Sequence, residues 1–171
     1  MPRLTLTPET PVPQELQARF DKVTAPGSGL ADTYRALFAN PRVASGLADL
    51  DELVGQCDME LWITYTVALA VAHERNSVSI WNAFEPLARE AGVRDAVIDG
   101  IASGTAPRGL LPKEGIWLHF ALEVIRCQVR DSTWQAVTHL VGDAGAVSLA
   151  FTACYYDMMA KLNGSFALDS R

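Results

Sequence analysis

The chain has 171 residues, of which 49% are hydrophobic and 20% are charged, and its formal net charge is −6. This size and composition predict one compact domain with its own hydrophobic core. The acidic balance and the lack of any run of Lys or Arg argue against a nucleic-acid partner. We find neither an apolar secretory core in residues 1–14 nor a continuous apolar run near the roughly 20 residues that cross a bilayer, so we expect no membrane partner and a cytoplasmic protein.

The predicted elements are all helices. Four prolines in the first fourteen residues favour an extended arm. We assign residues 1–30 to this arm and a short helix, and 31–171 to a helical domain. Apolar side chains then recur at spacings of three and four, without period-two alternation, which predicts an all-α, single-domain bundle. In chain order the predicted helices cover 32–38, 41–54, 58–72, 77–92, 94–102, 113–128, 132–141 and 144–162, with an irregular loop over 103–112.

Several residues mark the expected ends of these helices. Pro41 suits the first position of a helix, and Ser77 can cap the helix that follows it. Pro86 falls inside that same helix and predicts a bend. Asp131 and Asp143 each precede a new apolar repeat and are therefore predicted N-caps.

The chain's cysteines and two of its histidines predict no metal site. Cys57, Cys127 and Cys154 are widely separated and form no C-x-x-C motif, which argues against a disulfide framework and a zinc site. We expect all three thiols to be buried as small apolar groups. His119 and His139 lie on different predicted helices and lack acidic partners at ligand spacing, so we expect no metal there.

Several short segments between residues 32 and 165 occur in a recognisable order. They are Tyr34-Arg35-Ala36-Leu37 with Asn40-Pro41-Arg42, Trp81 with Pro86-Leu87-Ala88-Arg89-Glu90-Ala91-Gly92, Phe120-Ala121 with Glu123, Asp131-Ser132-Thr133-Trp134, and Tyr156 with Asn163. Together they resemble the carboxymuconolactone decarboxylase and alkylhydroperoxidase-D-like superfamily. The resemblance implies a helical bundle of that type and a homo-oligomer, whether dimer, trimer or hexamer. The proline-rich arm and the high apolar fraction agree with an oligomer.

The reactive residues of this superfamily are replaced here. Alignment on the signature helix places Tyr65 at the relay Glu, Ser77 and Ile80 at the two cysteine or acidic positions, and Phe84 at the His. Matching Glu60 to the relay Glu instead would require a shift of the intervening segment. Peroxide reduction needs a thiolate and a nearby resolving thiol, so these replacements argue against a peroxidase.

Chemistry through an enolate needs a group that holds a carboxylate, a donor to the enolate oxygen and a proton carrier. Arg75 and the free N–H groups of the helix that begins near Ser77 could hold the anion. Tyr65 could donate to the enolate oxygen, and His73 could move the proton. The alternatives are a solvated Arg75, a Ser77 that only caps its helix, a core Tyr65 and a solvated His73 at a helix end.

Four aromatic side chains complete the predicted site. Trp62, Trp81, Phe84 and Tyr155 could form the wall of a small-molecule pocket or belong to the core. We therefore predict a cofactor-independent lyase or isomerase that decarboxylates, isomerises or cyclises a small cyclic or aromatic carboxylated or lactone-like substrate. The alternative is a ligand-binding or scaffold protein without catalysis. A pocket beneath Tyr65 and Trp81 that contains convergent polar groups would favour the enzyme.

Overall fold

The computed structural model describes residues 2–4, 12–25, 30–104 and 110–169, and all regular secondary structure within these ranges is helical. No strand occurs in these ranges, and the predicted all-α single domain is confirmed. A 3-10 turn at Gln14–Leu16 precedes α1 (Gln17–Thr24), α2 (Ala31–Leu37), α3 (Pro41–Gln56), α4 (Leu61–Glu74), α5 (Val78–Glu90), α6 (Asp95–Ala102), α7 (Pro112–Ile125) and α8 (Asp131–Phe166).

Helix α4 lies at the centre of the domain. Every residue from Thr66 to Ala72 is buried, and the helix packs against α5, α6, α7 and α8. A helix surrounded by neighbours is apolar on all sides, which is why its sequence shows no polar face. Its position makes α4 a wall shared by cavities on different sides of the domain.

Two helix boundaries follow from local sequence chemistry. Pro41 is the first residue of α3, and the side-chain oxygen of Asn40 accepts a hydrogen bond from the Val43 N–H at 3.4 Å. Gly142 interrupts α8 with φ of +71° and ψ of 175°, a conformation that favours glycine because it has no Cβ. The interruption agrees with the predicted division between residues 141 and 144.

The predicted cap at Asp131 is wrong. Arg130 is the N-cap residue of α8, and Asp131 is the first residue inside the helix. The carboxylate of Glu123, at the end of α7, accepts hydrogen bonds from the Arg130 N–H at 3.1 Å and from the Thr133 hydroxyl at 3.2 Å. The start of α8 is therefore satisfied by a neighbouring helix.

The N-terminal arm and the 103–112 loop are described only in part. The Arg3 N–H donates to the Phe166 carbonyl oxygen at 2.9 Å, which places residues 2–4 against the end of α8. Residues 5–11 and 105–109 lie outside the described ranges. The division of the chain at residue 30 stays a prediction, and α1 packs directly on α2 and α3.

Two surface features differ from the expectations. Cys127 and Cys154 are exposed and Cys57 is half-buried, so the prediction of three buried thiols is wrong. Helix α8 is also long and apolar enough to cross a membrane by length and composition alone. Residues such as Leu149 and Met159 of α8 belong to the hydrophobic core, but only 28% of the 18-residue stretch that passes this test is buried.

Candidate active site

A cavity of about 290 Å³ opens between α1, α3, α4, α5 and α8. Its apolar wall includes Leu30, Val54 and Phe84. Its polar groups come from four helices and the end of α3, and they are Lys22, Asp51, Cys57, Thr64, Tyr65 and Tyr156. A concave apolar surface with a few convergent polar groups is the usual form of a small-molecule site.

Asp51 is held in place by a chain of two tyrosines. The Tyr155 hydroxyl donates to Asp51 Oδ1 at 2.8 Å, and the oxygen atoms of Tyr155 and Tyr34 are 3.4 Å apart. Because Tyr155 gives its one proton to the carboxylate, Tyr34 is the donor of this second, longer contact. The chain Tyr34 to Tyr155 to Asp51 therefore fixes a carboxylate at the cavity wall.

Burial changes the acidity of this group. It raises the pKa of Asp51 above its ordinary value, while the hydrogen bond from Tyr155 and the charge of Lys22 oppose that rise. Burial likewise raises the pKa of Tyr34 to about 12 and that of Tyr155 further. The two phenols therefore stay protonated at neutral pH, and Asp51 is a stronger base than an exposed aspartate.

Two further phenols face the same space. Tyr65 and Tyr156 both line the cavity, and the Phe84 ring lies against each of them, at centroid distances of 5.8 and 5.0 Å. Neither hydroxyl forms a hydrogen bond with the described part of the chain. Burial raises the pKa of Tyr156, with the charge of Asp51 as the next cause, so this phenol is a proton donor close to the carboxylate.

The mouth of the cavity has a basic group. Lys22 is exposed, and its ammonium lies 2.9 Å from Glu52 Oε1. An ion pair between exposed side chains contributes little free energy, so the Lys22 ammonium can also pair with an anion that enters the cavity.

The structure brings some predicted site residues together and separates others. Tyr65 and Phe84 line the cavity, and Tyr155 lies behind it, where it contacts Asp51. The Trp62 indole N–H donates to Glu60 at 2.7 Å and that of Trp81 donates to Glu85 at 3.0 Å. Neither tryptophan lines this cavity.

The predicted anion site at Arg75 and Ser77 is not formed. Arg75 pairs with Asp157 at 2.5 Å and donates to the Ile125 carbonyl oxygen at 2.9 Å. The buried Ser77 hydroxyl lies 3.1 Å from both carboxylate oxygens of Asp169. Asp169 also accepts from the backbone N–H of Ser79 at 2.8 Å, so the chain's own carboxylate occupies the start of α5.

His73 is also remote from the cavity. It lies eight residues beyond Tyr65 on α4, which corresponds to about 12 Å along a helix. It lines other cavities, one of which is also lined by Trp81 and Ser77. The sequence-based assignment of His73 as proton carrier to Tyr65 therefore finds no support in this geometry, whereas Asp51 lines the same cavity as Tyr65.

Asp51, Tyr156 and Lys22 were not predicted as site residues. A signal for Asp51 exists in the sequence, because it follows Leu47 by four residues and precedes Val54 by three. It therefore interrupts the apolar stripe of α3, where a carboxylate needs a partner or a function. No comparable signal separates Tyr156 from its neighbour Tyr155.

Comparisons with known proteins add no further information: no protein-family model, curated protein or solved structure matches this chain. The described residues contain no group of three or more His, Cys, Asp or Glu that could hold a metal ion. The cavity contains one carboxylate, Asp51, two phenol donors, Tyr65 and Tyr156, and a lysine, Lys22, at its opening.

Proposed function

We propose that the cavity binds a small cyclic or aromatic carboxylic acid or lactone and transfers a proton beside its carbonyl group, which makes the protein an isomerase or lyase that works through an enolate. The observation that carries this proposal is Asp51, a carboxylate with a raised pKa held in the wall of a cavity that also contains the Tyr65 and Tyr156 hydroxyls. A base and separate oxyanion donors in one partly enclosed space suit proton transfer.

The residues have distinct roles in this scheme. Asp51 takes a proton from the carbon next to the carbonyl, and the electron pair of that C–H bond forms the enolate. Tyr65 and Tyr156 donate hydrogen bonds to the enolate oxygen, where negative charge develops. In a substrate with a C=C bond next to that carbon, the enolate extends over this bond as a dienolate, and Asp51 returns the proton to the far carbon, which moves the double bond and completes an isomerisation without a cofactor. Tyr155 is a positioning residue, since it contacts Asp51 and not the cavity.

A decarboxylation uses the same groups. The bond between the ring carbon and the carboxylate breaks, carbon dioxide leaves, and the electron pair remains in the enolate. Protonated Asp51 then gives its proton to that carbon and regains one from solvent. Lys22 at the mouth pairs with the carboxylate of the substrate in the isomerisation.

We also propose that the chain is a divergent, cytoplasmic member of the carboxymuconolactone decarboxylase and alkylhydroperoxidase-D-like superfamily, and that it forms a homo-oligomer. The order of the shared segments and the all-α fold support the first part. The proline-rich arm and the high apolar fraction of the chain support the second. Light scattering that finds only a monomer would contradict the oligomer.

One observation favours the alternative, a member of that superfamily without catalysis. Both groups expected to hold an anion, Arg75 and the start of α5, are occupied by Asp157 and Asp169. A protein that has lost its activity would keep such internal pairs for stability. The two functions differ in what happens when Asp51 is removed.

The experiment uses 2-oxocyclohexanecarboxylate, a cyclic β-keto acid that can both enolise and lose carbon dioxide. Deuterium uptake from heavy water and formation of cyclohexanone are followed by NMR. We expect the wild type to exceed the buffer rate in at least one of these reactions. Asp51→Asn should lower that rate about 100-fold or more, the range typical of a general base, and Tyr65→Phe should lower it about 10-fold or more.

Asp49→Asn is the matched control, because Asp49 lies on the same helix and pairs with Arg19 at 2.7 Å outside the cavity. It should keep the wild-type rate. If the wild type does not exceed the buffer rate, or if Asp51→Asn is as active as the wild type, the enzymatic proposal is wrong and the alternative is favoured.

A further inference from the structure

A second cavity, of about 240 Å³, lies at the other end of α4. Leu61, Thr64 and Tyr65 of α4 border the candidate active site, whereas Ala70, His73 and Glu74 border this one. Its remaining walls come from the C-terminal end of α6 and from α7. The two cavities share one helix and no lining residue.

The second cavity combines an apolar floor with a polar edge. The floor is formed by Ala70, Ile101, Leu118 and Leu122, and the edge by His73, Glu74, His119 and Arg126. The two imidazoles come from different helices, α4 and α7, and so face the cavity from two of its walls. An apolar ring with one charged substituent would match both parts of this surface.

The imidazoles are available to a ligand. Neither the His73 imidazole nor the His119 imidazole forms a hydrogen bond or an ion pair with the described part of the chain. Gly104 lies beside His73 with φ of +64°, and a Cβ atom there would come within 3.1 Å of His73 Nε2. The glycine therefore leaves this nitrogen open at the position where any other residue would crowd it.

Arg126 supplies a cationic group at the same edge. Its guanidinium binds Glu74 through Nη2 at 2.7 Å and through Nε at 2.8 Å. This pair orients the guanidinium and neutralises the Glu74 carboxylate. A guanidinium has five N–H donors, so several remain for a second anion.

We propose that this second cavity binds a compact aromatic or cyclic carboxylate. The ring of the ligand lies on Leu118 and Leu122, and its carboxylate accepts hydrogen bonds from the imidazole N–H groups of His73 and His119 and from Arg126. A metal ion is the weaker candidate, because no third ligand completes a cluster among the described residues. The site goes beyond the proposed function and does not depend on it.

The test uses benzoate as the probe and imidazole NMR as the readout. The chain has three histidines, and the third, His139, is an exposed residue of α8 outside this cavity. The histidines supply their own control within one spectrum. On titration with benzoate we expect the His73 and His119 signals to move with one saturable dissociation constant, while the His139 signal stays in place.

Two comparisons separate the charge of the ligand from its ring. Benzyl alcohol has the ring without the carboxylate, and His119→Ala removes one exposed donor with little risk to folding. Each should weaken binding at least 10-fold, whereas His139→Ala should leave the dissociation constant unchanged. If the His73 and His119 signals do not move, if they move only together with His139, or if both comparisons leave the affinity unchanged, the site does not exist as proposed.

The outcome is independent of the candidate active site. Asp51→Asn should not alter the benzoate titration of His73 and His119, because Asp51 lines the other cavity. Loss of the histidine shifts in that variant would place the benzoate at the first cavity and overturn this inference. Failure of the β-keto acid assay would leave the histidine titration unaffected.

Discussion

Replacing Tyr155 by Phe removes a single oxygen atom from the centre of the tyrosine chain. The Phe ring keeps the edge contact with Tyr156, whose centroid lies 5.3 Å away, so the change opens no large cavity. The lost hydroxyl donates to Asp51 at 2.8 Å and accepts from Tyr34 at 3.4 Å. The variant therefore measures what these two hydrogen bonds contribute.

The expected cost follows from the charge and the distance of each bond. A hydrogen bond to a charged group contributes about 1.5–3 kcal/mol, and Asp51 is half-buried, which favours the lower part of that range. The contact from Tyr34 is long, but it leaves a buried hydroxyl without its acceptor, at about 1 kcal/mol. We expect the free energy of unfolding to fall by about 2–3 kcal/mol, or the melting temperature by roughly 4–12 °C for a chain of this length.

Urea unfolding at pH 7 measures this change, with Tyr65→Phe as the matched control. The Tyr65 hydroxyl forms no hydrogen bond with the described residues, so its removal should change the free energy of unfolding by less than about 0.5 kcal/mol. In addition, Asp51 should become less acidic in Tyr155→Phe, because the hydrogen bond that lowers its pKa is gone. Equal stability of the two variants would refute the assignment of Tyr155 as the residue that positions Asp51.

Three further predictions concern the titration of Asp51, the buried ion pair of Asp157 and the start of α5. Burial raises the pKa of Asp51 in the folded protein, so the folded state holds this proton more tightly than the unfolded state. The free energy of unfolding of the wild type therefore falls as pH rises through the raised pKa. Unfolding at pH 3 to 7 should show Asp51→Asn gaining stability relative to wild type as pH rises, and a difference that does not change with pH would contradict the raised pKa. Arg75→Met leaves the largely buried Asp157 with one remaining cation and should lower the free energy of unfolding by about 1–3 kcal/mol. Arg89→Met, which removes an exposed pair, should cost less than Arg75→Met. Similar losses in the two variants would mean that burial of the pair is unimportant. Asp169→Ala removes the acceptor at the start of α5 and should cost about 1 kcal/mol in urea unfolding, a loss that Asp169→Asn, which keeps an oxygen acceptor, should largely avoid.

The sequence predicted helix positions well because their signals are local. Pro41 with its Asn40 cap, and the separation of two helical segments near Gly142, depend on residues within one turn of each other. Ser77 is the N-cap residue of α5, as predicted, but its side chain forms no cap hydrogen bond, and the predicted cap at Asp131 is wrong. The carboxylates that accept hydrogen bonds at these two helix starts, Asp169 and Glu123, come from other parts of the chain.

The candidate site shows the same division. Phe84 and Tyr65 were predicted because the resemblance seen in the sequence aligns them with functional positions on two neighbouring helices. Asp51 and Lys22 come from α3 and α1, which reach the cavity only after the helices pack. Arg75 was expected at the substrate, yet Asp157 lies far along the chain and pairs with it in the fold.

By itself, the sequence determined that this protein is a single all-α domain, because apolar periodicity and helix-end residues act over three or four positions. Only the tertiary structure decided which carboxylate faces the cavity and which cations are already paired. Asp51, Asp157 and Asp169 are the same type of residue and differ only in their neighbours. Asp51 contacts a phenol in a cavity wall, Asp157 pairs with a guanidinium, and Asp169 accepts a hydrogen bond at the start of a helix. Such contacts join residues far apart along the chain, and they form only when α3, α4 and α5 pack against α8.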